Sequence, residues 1–292
     1  MLSVSMLSGY LYCPRKVYLQ YALGLSEPPK PSLVLGTLRH KVFERLNGAE
    51  EEIVTSIREK AEYEEILEAY KKRYISILED AARDSIKSIR RFDLTAEDVI
   101  EKMMPSVIAE AEERAANVVG FMKKTGLKGI ELWERLTPKM ISEFNVESSS
   151  LGIRGIVDRI EIHDDFMVPV ELKTGRAPSE GAWPSHRLQL SAYMLMLGEK
   201  KRQVEKGVIL YLDSGKRVNI PKNPFTETEV SNVLNRTKEL LRSEKPPCFC
   251  RNTNKCSSCG LKQQCYDEEF INARIKEVFK ASETDIQQKQ KI

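Results

Sequence analysis

The stretch from Leu151 to Gly175, LGIRGIVDRIEIHDDFMVPVELKTG, limits what this chain can fold into more than any other. Ile153, Ile156, Val157, Ile160 and Ile162 precede Asp164-Asp165, and Phe166, Met167, Val168, Val170 and Leu172 follow it. Such β-branched and aromatic runs suit two strands joined by a turn. With Asp164 and Asp165 as the turn, His163 pairs with Phe166, and the register carries Asp158 opposite Glu171. Directly opposed residues have Cβ atoms roughly 4.5 to 5.5 Å apart, and like charges there repel unless something compensates them. A divalent cation would. The period of two puts Lys173 on the face of Glu171 and turns Leu172 into the packing on the other side. A solvated surface hairpin is the plainer reading. It fits poorly, because Gly155-Ile156-Val157-Asp158 is apolar enough to be buried, and acids are rarely buried without a partner or a metal.

The rest of the chain reads largely as helix. Met6, Tyr10, Val17, Tyr18 and Tyr21 suit a short helix or helical turn around Cys13-Pro14-Arg15-Lys16. After Pro28-Pro29-Lys30-Pro31, the segment Ser32 to Leu46 carries Leu35, Leu38, Val42, Phe43 and Leu46 at helical spacing, with His40 among them. A lone histidine on a helix is most often structural. Between about Glu50 and Lys124, Ile53, Ile57, Ile66, Tyr70, Ile77, Ala81 and Ile89 form one apolar stripe. Thr95-Ala96-Glu97-Asp98 resembles a helix-capping pattern, and Pro105 is expected to kink or divide the helix that this cap begins. This helical block is either a structural bundle or a cover over a substrate channel. Strands return at Met140 to Val146, with Glu143 on the polar face. His186 to Leu197 reads as a helix on which Gln189 and Tyr193 share a face. Val208 to Leu212 and Arg217 to Ile220 form a further hairpin, Thr226 to Leu241 an amphipathic helix, and the closing QQKQKI is expected to be disordered.

Five of the six cysteines fall in CFCRNTNKCSSCGLKQQC, between Cys248 and Cys265. The start of the chain lacks the basic residues of a signal peptide, and no apolar run approaches the roughly 18 residues of a membrane span, so a cytoplasmic protein with no membrane partner is expected. Thiols there stay reduced, which favours metal or cluster ligation over disulfides. Cys256-x2-Cys259 and Cys265 supply three ligands, and the fourth comes from Cys248, Cys250 or the distant Cys13. Zinc and a four-iron cluster both accept four thiolates, and spacing does not separate them. The net charge of +3 leaves nucleic-acid binding to a local basic patch.

Gly36-x3-His40, Gly155-Ile156-Val157-Asp158, Glu171-Leu172-Lys173 and Gln189-x3-Tyr193, in that order, resemble the RecB-like nucleases of the PD-(D/E)xK fold. A cysteine near the N-terminus and Cys-x2-Cys-x5-Cys near the C-terminus look like the iron-sulfur branch of that superfamily, above all the fourth core CRISPR-associated protein family. The resemblance implies an α/β fold: a restriction-endonuclease-like core with a mixed β-sheet flanked by helices, one domain over residues 1–292. It further implies a helical insertion at 50–125 and a cluster region at 245–270 joined by Cys13. Cys13, Cys256, Cys259 and Cys265 would hold a 4Fe-4S cluster pinning the chain ends together, with Cys248 and Cys250 outside the pattern.

The implied activity is metal-dependent DNA exonuclease cleavage, with endonuclease cleavage as a companion activity. Its substrate would be single-stranded DNA or DNA with single-stranded ends, processed for CRISPR spacer acquisition alongside the integrase proteins. A repair or recombination nuclease of the same fold, and a non-catalytic DNA-end-binding module, are the alternatives. Oxygen ligands from Asp158 and Glu171 suit Mg2+ or Mn2+, the imidazole of His40 tilts the site toward Mn2+, and the Leu172 backbone carbonyl adds another oxygen. Lys173 would orient the attacking water or stabilise charge on phosphorus oxygens, while Gln189 and Tyr193 position DNA or the lysine.

Overall fold

A computed structural model describes residues 1–58, 61–200 and 203–289, the last nine of these as backbone alone. Its centre is a mixed six-stranded sheet: β1 (Leu2–Ser3), β2 (Lys139–Ser148), β3 (Ile153–Ile162), β4 (Met167–Lys173), β5 (Lys206–Tyr211) and β6 (Lys216–Pro221). The expected hairpin register holds from the turn to Arg159 opposite Val170, and the His163 N–H donates to the Phe166 carbonyl at 2.9 Å. There the ladder stops, one pair short of Asp158 and Glu171. β2 runs antiparallel along the other edge of β3, β5 parallel to β4, and β6 antiparallel to β5. β1 adds two parallel residues beside Ile153 and Arg154.

Helices cover both faces. On one lie α3 (Pro31–Gly48), α4 (Glu50–Ser56), α5 (Tyr63–Asp84), α6 (Ile86–Ile89), α7 (Ala96–Thr125) and α8 (Gly129–Arg135). They share one apolar core with Val168, Val170, Leu172, Val208 and Leu210 of the sheet, so the block closes that face. On the other lie α1 (Val4–Tyr12), α9 (Pro184–Gly198) and α10 (Thr226–Arg242), packed with Val146, Ile153, Val157 and Met167. α9 is the crossover between the parallel strands β4 and β5. Beyond α1 the chain breaks at Cys13, whose extended backbone leads into α2 (Pro14–Val17) and a wide helical turn, Tyr18–Ala22. The C-terminal segment forms α11 (Thr253–Ser257), α12 (Lys262–Tyr266) and α13 (Glu268–Lys289).

Two expectations are corrected. Pro105 does not divide its helix: α7 runs unbroken for 30 residues from the Thr95–Asp98 capping box. Pro105 is exposed, so the carbonyl it leaves without an N–H faces water, while Val99, Met103, Val107 and Ala111 stay buried and hold the axis. Residues 287–289, expected to be disordered, continue α13 as helical backbone, and 290–292 lie outside the described residues.

α7 is tied to the sheet by charge as well as by packing. Arg159, fully buried on β3, donates to Glu110 Oε1 at 2.6 Å, and both groups are out of solvent. At the rim, Arg217 bridges Glu161 at 2.6 Å and Glu113 at 2.9 Å. Glu110→Ala should therefore cost about 3–5 kcal/mol, because it strands a buried guanidinium. Glu113→Ala, which opens an exposed pair, should cost under about 1 kcal/mol. Urea unfolding of the two variants checks the contrast, and equal losses would refute it.

Candidate active site and cysteine pocket

The site lies where β3 and β4 part. A buried backbone N–H needs an acceptor, and at Leu172 that acceptor is a side chain: Asp158 Oδ2 accepts the Leu172 N–H at 2.8 Å in place of a ladder carbonyl. A strand residue presents its N–H and C=O to the same side, and the Lys173 carbonyl accepts from Leu212 on the β5 side. The Leu172 carbonyl consequently faces the fork with Asp158.

Two helices supply the remaining groups. From α3, His40 Nδ1 comes within 3.3 Å of Asp158 Oδ1. Gly36, one turn earlier, lies against Thr174, where an added Cβ would sit 3.5 Å from the threonine hydroxyl. From α9, Gln189 uses both ends of its amide: Nε2 donates to Glu171 Oε1 at 2.6 Å, and Oε1 accepts from Lys173 Nζ at 2.9 Å. Lys173 also bonds Glu171 Oε1 at 2.7 Å. The Tyr193 hydroxyl stands 3.5 Å from Gln189 Nε2, and its ring packs on Gly155, where a Cβ would come within 2.6 Å. The structure thus gathers His40 and the Leu172 backbone around Asp158, and Lys173 and Gln189 around Glu171.

Electrostatics there are strained toward a missing positive charge. Glu171 is 1% exposed, and its Oε2 has no hydrogen-bond partner. Burial first, then the charge of Asp158, push its carboxyl up to about 8 despite Lys173. Burial alone would lower Lys173, but the Glu171 carboxylate outweighs it and holds the ammonium charged. The same contest at His40 ends with its pKa raised by Asp158 and Glu171. Two carboxylates, one of them with an unsatisfied buried oxygen, an imidazole and an inward carbonyl fit a divalent cation.

Sequence reasoning missed two neighbours. Glu143 belongs to the centre, for among the described residues His40, Glu143 and Asp158 are the one trio whose ligand atoms lie within 4.8 Å of one another. It stands across β2–β3 from Asp158, and only the pairing of those strands, unreadable from the chain alone, would have revealed it. His186 Nδ1 lies 3.1 Å from the Tyr211 hydroxyl, beside Lys173 in the sheet. Burial and the lysine charge hold His186 down at about 4, so it braces the lysine's surroundings as a neutral group.

Cys13, Cys250, Cys256, Cys259 and Cys265 line a second cavity of about 40 Å3, while Cys248 is exposed and lines none of it. Buried Arg15 closes one wall, donating to Cys265 Sγ at 3.2 Å, to the Cys265 carbonyl at 3.0 Å and to the Pro247 carbonyl at 2.7 Å. Lys255 Nζ reaches the Tyr12 carbonyl at 2.7 Å. The two ends of the chain meet here. Cys250 and Cys256 sulfurs are 3.9 Å apart, so the structure draws Cys250, outside the expected spacing, into the same pocket.

Residues 1–266 match the family model described as the PD-(D/E)XK nuclease superfamily. A CRISPR-associated exonuclease Cas4/endonuclease Cas1 fusion of Leptospira interrogans is 33% identical over 131 residues, 43% of this chain and 24% of that protein. A CRISPR-associated exonuclease Cas4 of Rhodospirillum rubrum is 29% identical over 133 residues, 44% of this chain and 39% of the relative. A DNA replication ATP-dependent helicase/nuclease DNA2 of Xenopus tropicalis is 25% identical over 161 residues, 46% of this chain and 15% of the relative. The chain therefore spans well under half the length of each.

A cation held by Glu171 should bind in a pH-dependent way. Its ordinary value is 4.5 and its folded value about 8, so between these the folded state holds a proton the unfolded chain has released. Its contribution to stability is full below about 4.5 and is lost as pH rises through about 8. A cation needs the carboxylate and displaces that proton. Isothermal titration of Mn2+ into the metal-free protein near pH 7, repeated in buffers of different ionisation enthalpy, should show proton release and an affinity that climbs toward pH 8. Glu171→Gln should abolish that release, and a wild-type affinity flat from about pH 6 to 8 would exclude this account.

Proposed function

The chain belongs to the PD-(D/E)XK nuclease superfamily, and from that premise we propose that it is a divalent-metal-dependent DNA nuclease that hydrolyses phosphodiesters at DNA ends. The observation that carries the reading is the fork itself: Asp158, Glu171 and the Leu172 carbonyl face one opening, with His40 on one flank and a charged Lys173 on the other. Asp158, Glu171, His40 and the Leu172 carbonyl would hold Mn2+ or Mg2+. When bound, the ion supplies Lewis acidity at a phosphoryl oxygen and a nucleophilic water at neutral pH.

The protein's own groups do the rest. Lys173 stays an ammonium under the pull of Glu171, so its role is to stabilise negative charge on the phosphorus oxygens and to orient water rather than to take a proton. Gln189 fixes its position through both amide atoms, and Tyr193 backs Gln189. Single-stranded DNA is the favoured substrate. Trp183, 43% exposed at the N-cap of α9 and six residues before Gln189, offers a face on which an unpaired base can stack. Relatives named as Cas4 exonucleases, one joined to an endonuclease Cas1, support a place in CRISPR spacer acquisition beside an integrase, in the cytoplasm. Among the described residues no helix is long and apolar enough to cross a membrane.

We also assign a 4Fe-4S cluster to the cysteine pocket. Five cysteines line that one pocket, which supports ligation by thiolates, and the resemblance to the iron-sulfur branch favours a cluster over zinc. Cys13, Cys256, Cys259 and Cys265 are its proposed ligands, and Cys250 lies 3.9 Å from Cys256 in the same pocket.

Asp158→Asn keeps the acceptor for Leu172 and removes a metal ligand. Cleavage of end-labelled single-stranded DNA in Mn2+ should fall more than about a hundredfold, beyond what an outer-shell change costs, with unfolding temperature unchanged. Near-wild-type cutting would remove Asp158 from the catalytic metal site, and no cutting by the wild type in Mn2+ would sink the nuclease assignment. In the pocket, Cys13→Ala should lose iron and the broad absorbance near 400 nm, whereas Cys248→Ala and Cys250→Ala should keep both. Loss of iron in Cys250→Ala with retention in Cys256→Ala would exchange those two ligands.

A further inference from the structure

We propose that Arg15 tunes the group held in the cysteine pocket: its Nε–H donates to the sulfur of Cys265 while that cysteine serves as a ligand, and so raises the reduction potential of the 4Fe-4S cluster. The inference rests on the cluster assigned to this pocket and adds to it a residue that binds no iron. Arg15 follows Cys13 by two positions, on the short helix α2 that Pro14 opens. It is only 6% exposed, and a guanidinium is seldom buried unless it is paired. Nε donates to Cys265 Sγ at 3.2 Å, Nη1 to the Pro247 carbonyl and Nη2 to the Cys265 carbonyl, while its plane lies on the Phe249 ring, 4.0 Å from the centre. Among the described residues these partners include no carboxylate.

A buried cation without a counter-charge is costly. Four thiolates around iron form an anionic group, which would bring that charge to the sulfur at which Arg15 already points. The bond acts on the group in two ways. It withdraws electron density from the sulfur, and the positive charge favours the state that holds one more electron, so both effects raise the potential. The guanidinium is fixed for this task. Its planar fork spends three donors on acceptors from one distant segment of the chain, and Phe249, stacked in turn on Tyr266 at 4.7 Å, covers its face. Lys255 lines the same pocket, but its Nζ donates to the Tyr12 carbonyl at 2.7 Å and not to a sulfur. It offers the same charge without the bond.

The test is the midpoint potential of the full chain purified without air, titrated with dithionite as electron donor through mediator dyes. The one-electron-reduced state is read by electron paramagnetic resonance, and iron is counted per chain. Arg15→Gln should keep its iron and, at the wild-type midpoint, lower the ratio of reduced to oxidised cluster by roughly tenfold or more, which is about 59 mV for one electron. Lys255→Gln should change that ratio by less than about threefold, since it removes charge but no bond to sulfur. An unmoved or raised potential in Arg15→Gln, or an equal fall in Lys255→Gln, would overturn the proposal. If Arg15→Gln fails to fold, the wild type carries the test: with its arginines labelled by 15N, the reduced cluster should show a hyperfine coupling to nitrogen in pulsed resonance, and no coupling would overturn the proposal equally. Wild type that holds zinc and no iron would remove the cluster reading and this inference with it. Full iron with an unmoved potential removes this inference alone.

Discussion

The hydrogen bond from the Leu172 N–H to the Asp158 carboxylate is the constraint on which the site depends. Strands that pair to their ends leave no room between them. Here the side chain of one strand satisfies the backbone of the other, so β3 and β4 can separate without orphaning a buried donor. The opening admits α3 from one layer of the molecule and α9 from the other, and everything chemically active sits within reach of that replaced bond.

The fork is also where the fold gives up stability. Glu171 is buried with an unfilled oxygen, and the charge of Asp158 bears on Glu143 from one side and on Glu171 from the other. A centre of this kind binds a cation well because the metal-free protein is poorly compensated. The surrounding structure absorbs the penalty: apolar cores on both faces of the sheet and the Arg159–Glu110 pair hold the strands that the carboxylates would push apart.

Much of this was legible in the chain. The alternation of apolar residues around Asp164-Asp165 specified the hairpin and its register, because a slip by one residue would have turned every core side chain outward. His40 lies beside Asp158, and Lys173 and Gln189 beside Glu171, as the resemblance to the RecB-like nucleases implied. What escaped were facts of pairing between distant segments. Nothing local tells Glu143 that it will face Asp158, or Cys250 that α2 will bring Cys13 to it. Pro105 does not divide α7, because tertiary burial on the far side of the helix overrides the local preference to break. β1, two residues long, is too short for any pattern to announce it.

That small strand gives α1 a mechanical part. Its first residue, Val4, packs at the Gly155 position of β3, where a Cβ would meet it at 3.2 Å, and its last is followed at once by Cys13. Between them stands a helix about 13 Å long, by the rise of 1.5 Å per residue. A rod so short transmits displacement rather than absorbing it. The thiol pocket and the strand that carries Asp158 thus lie at the two ends of one short helix.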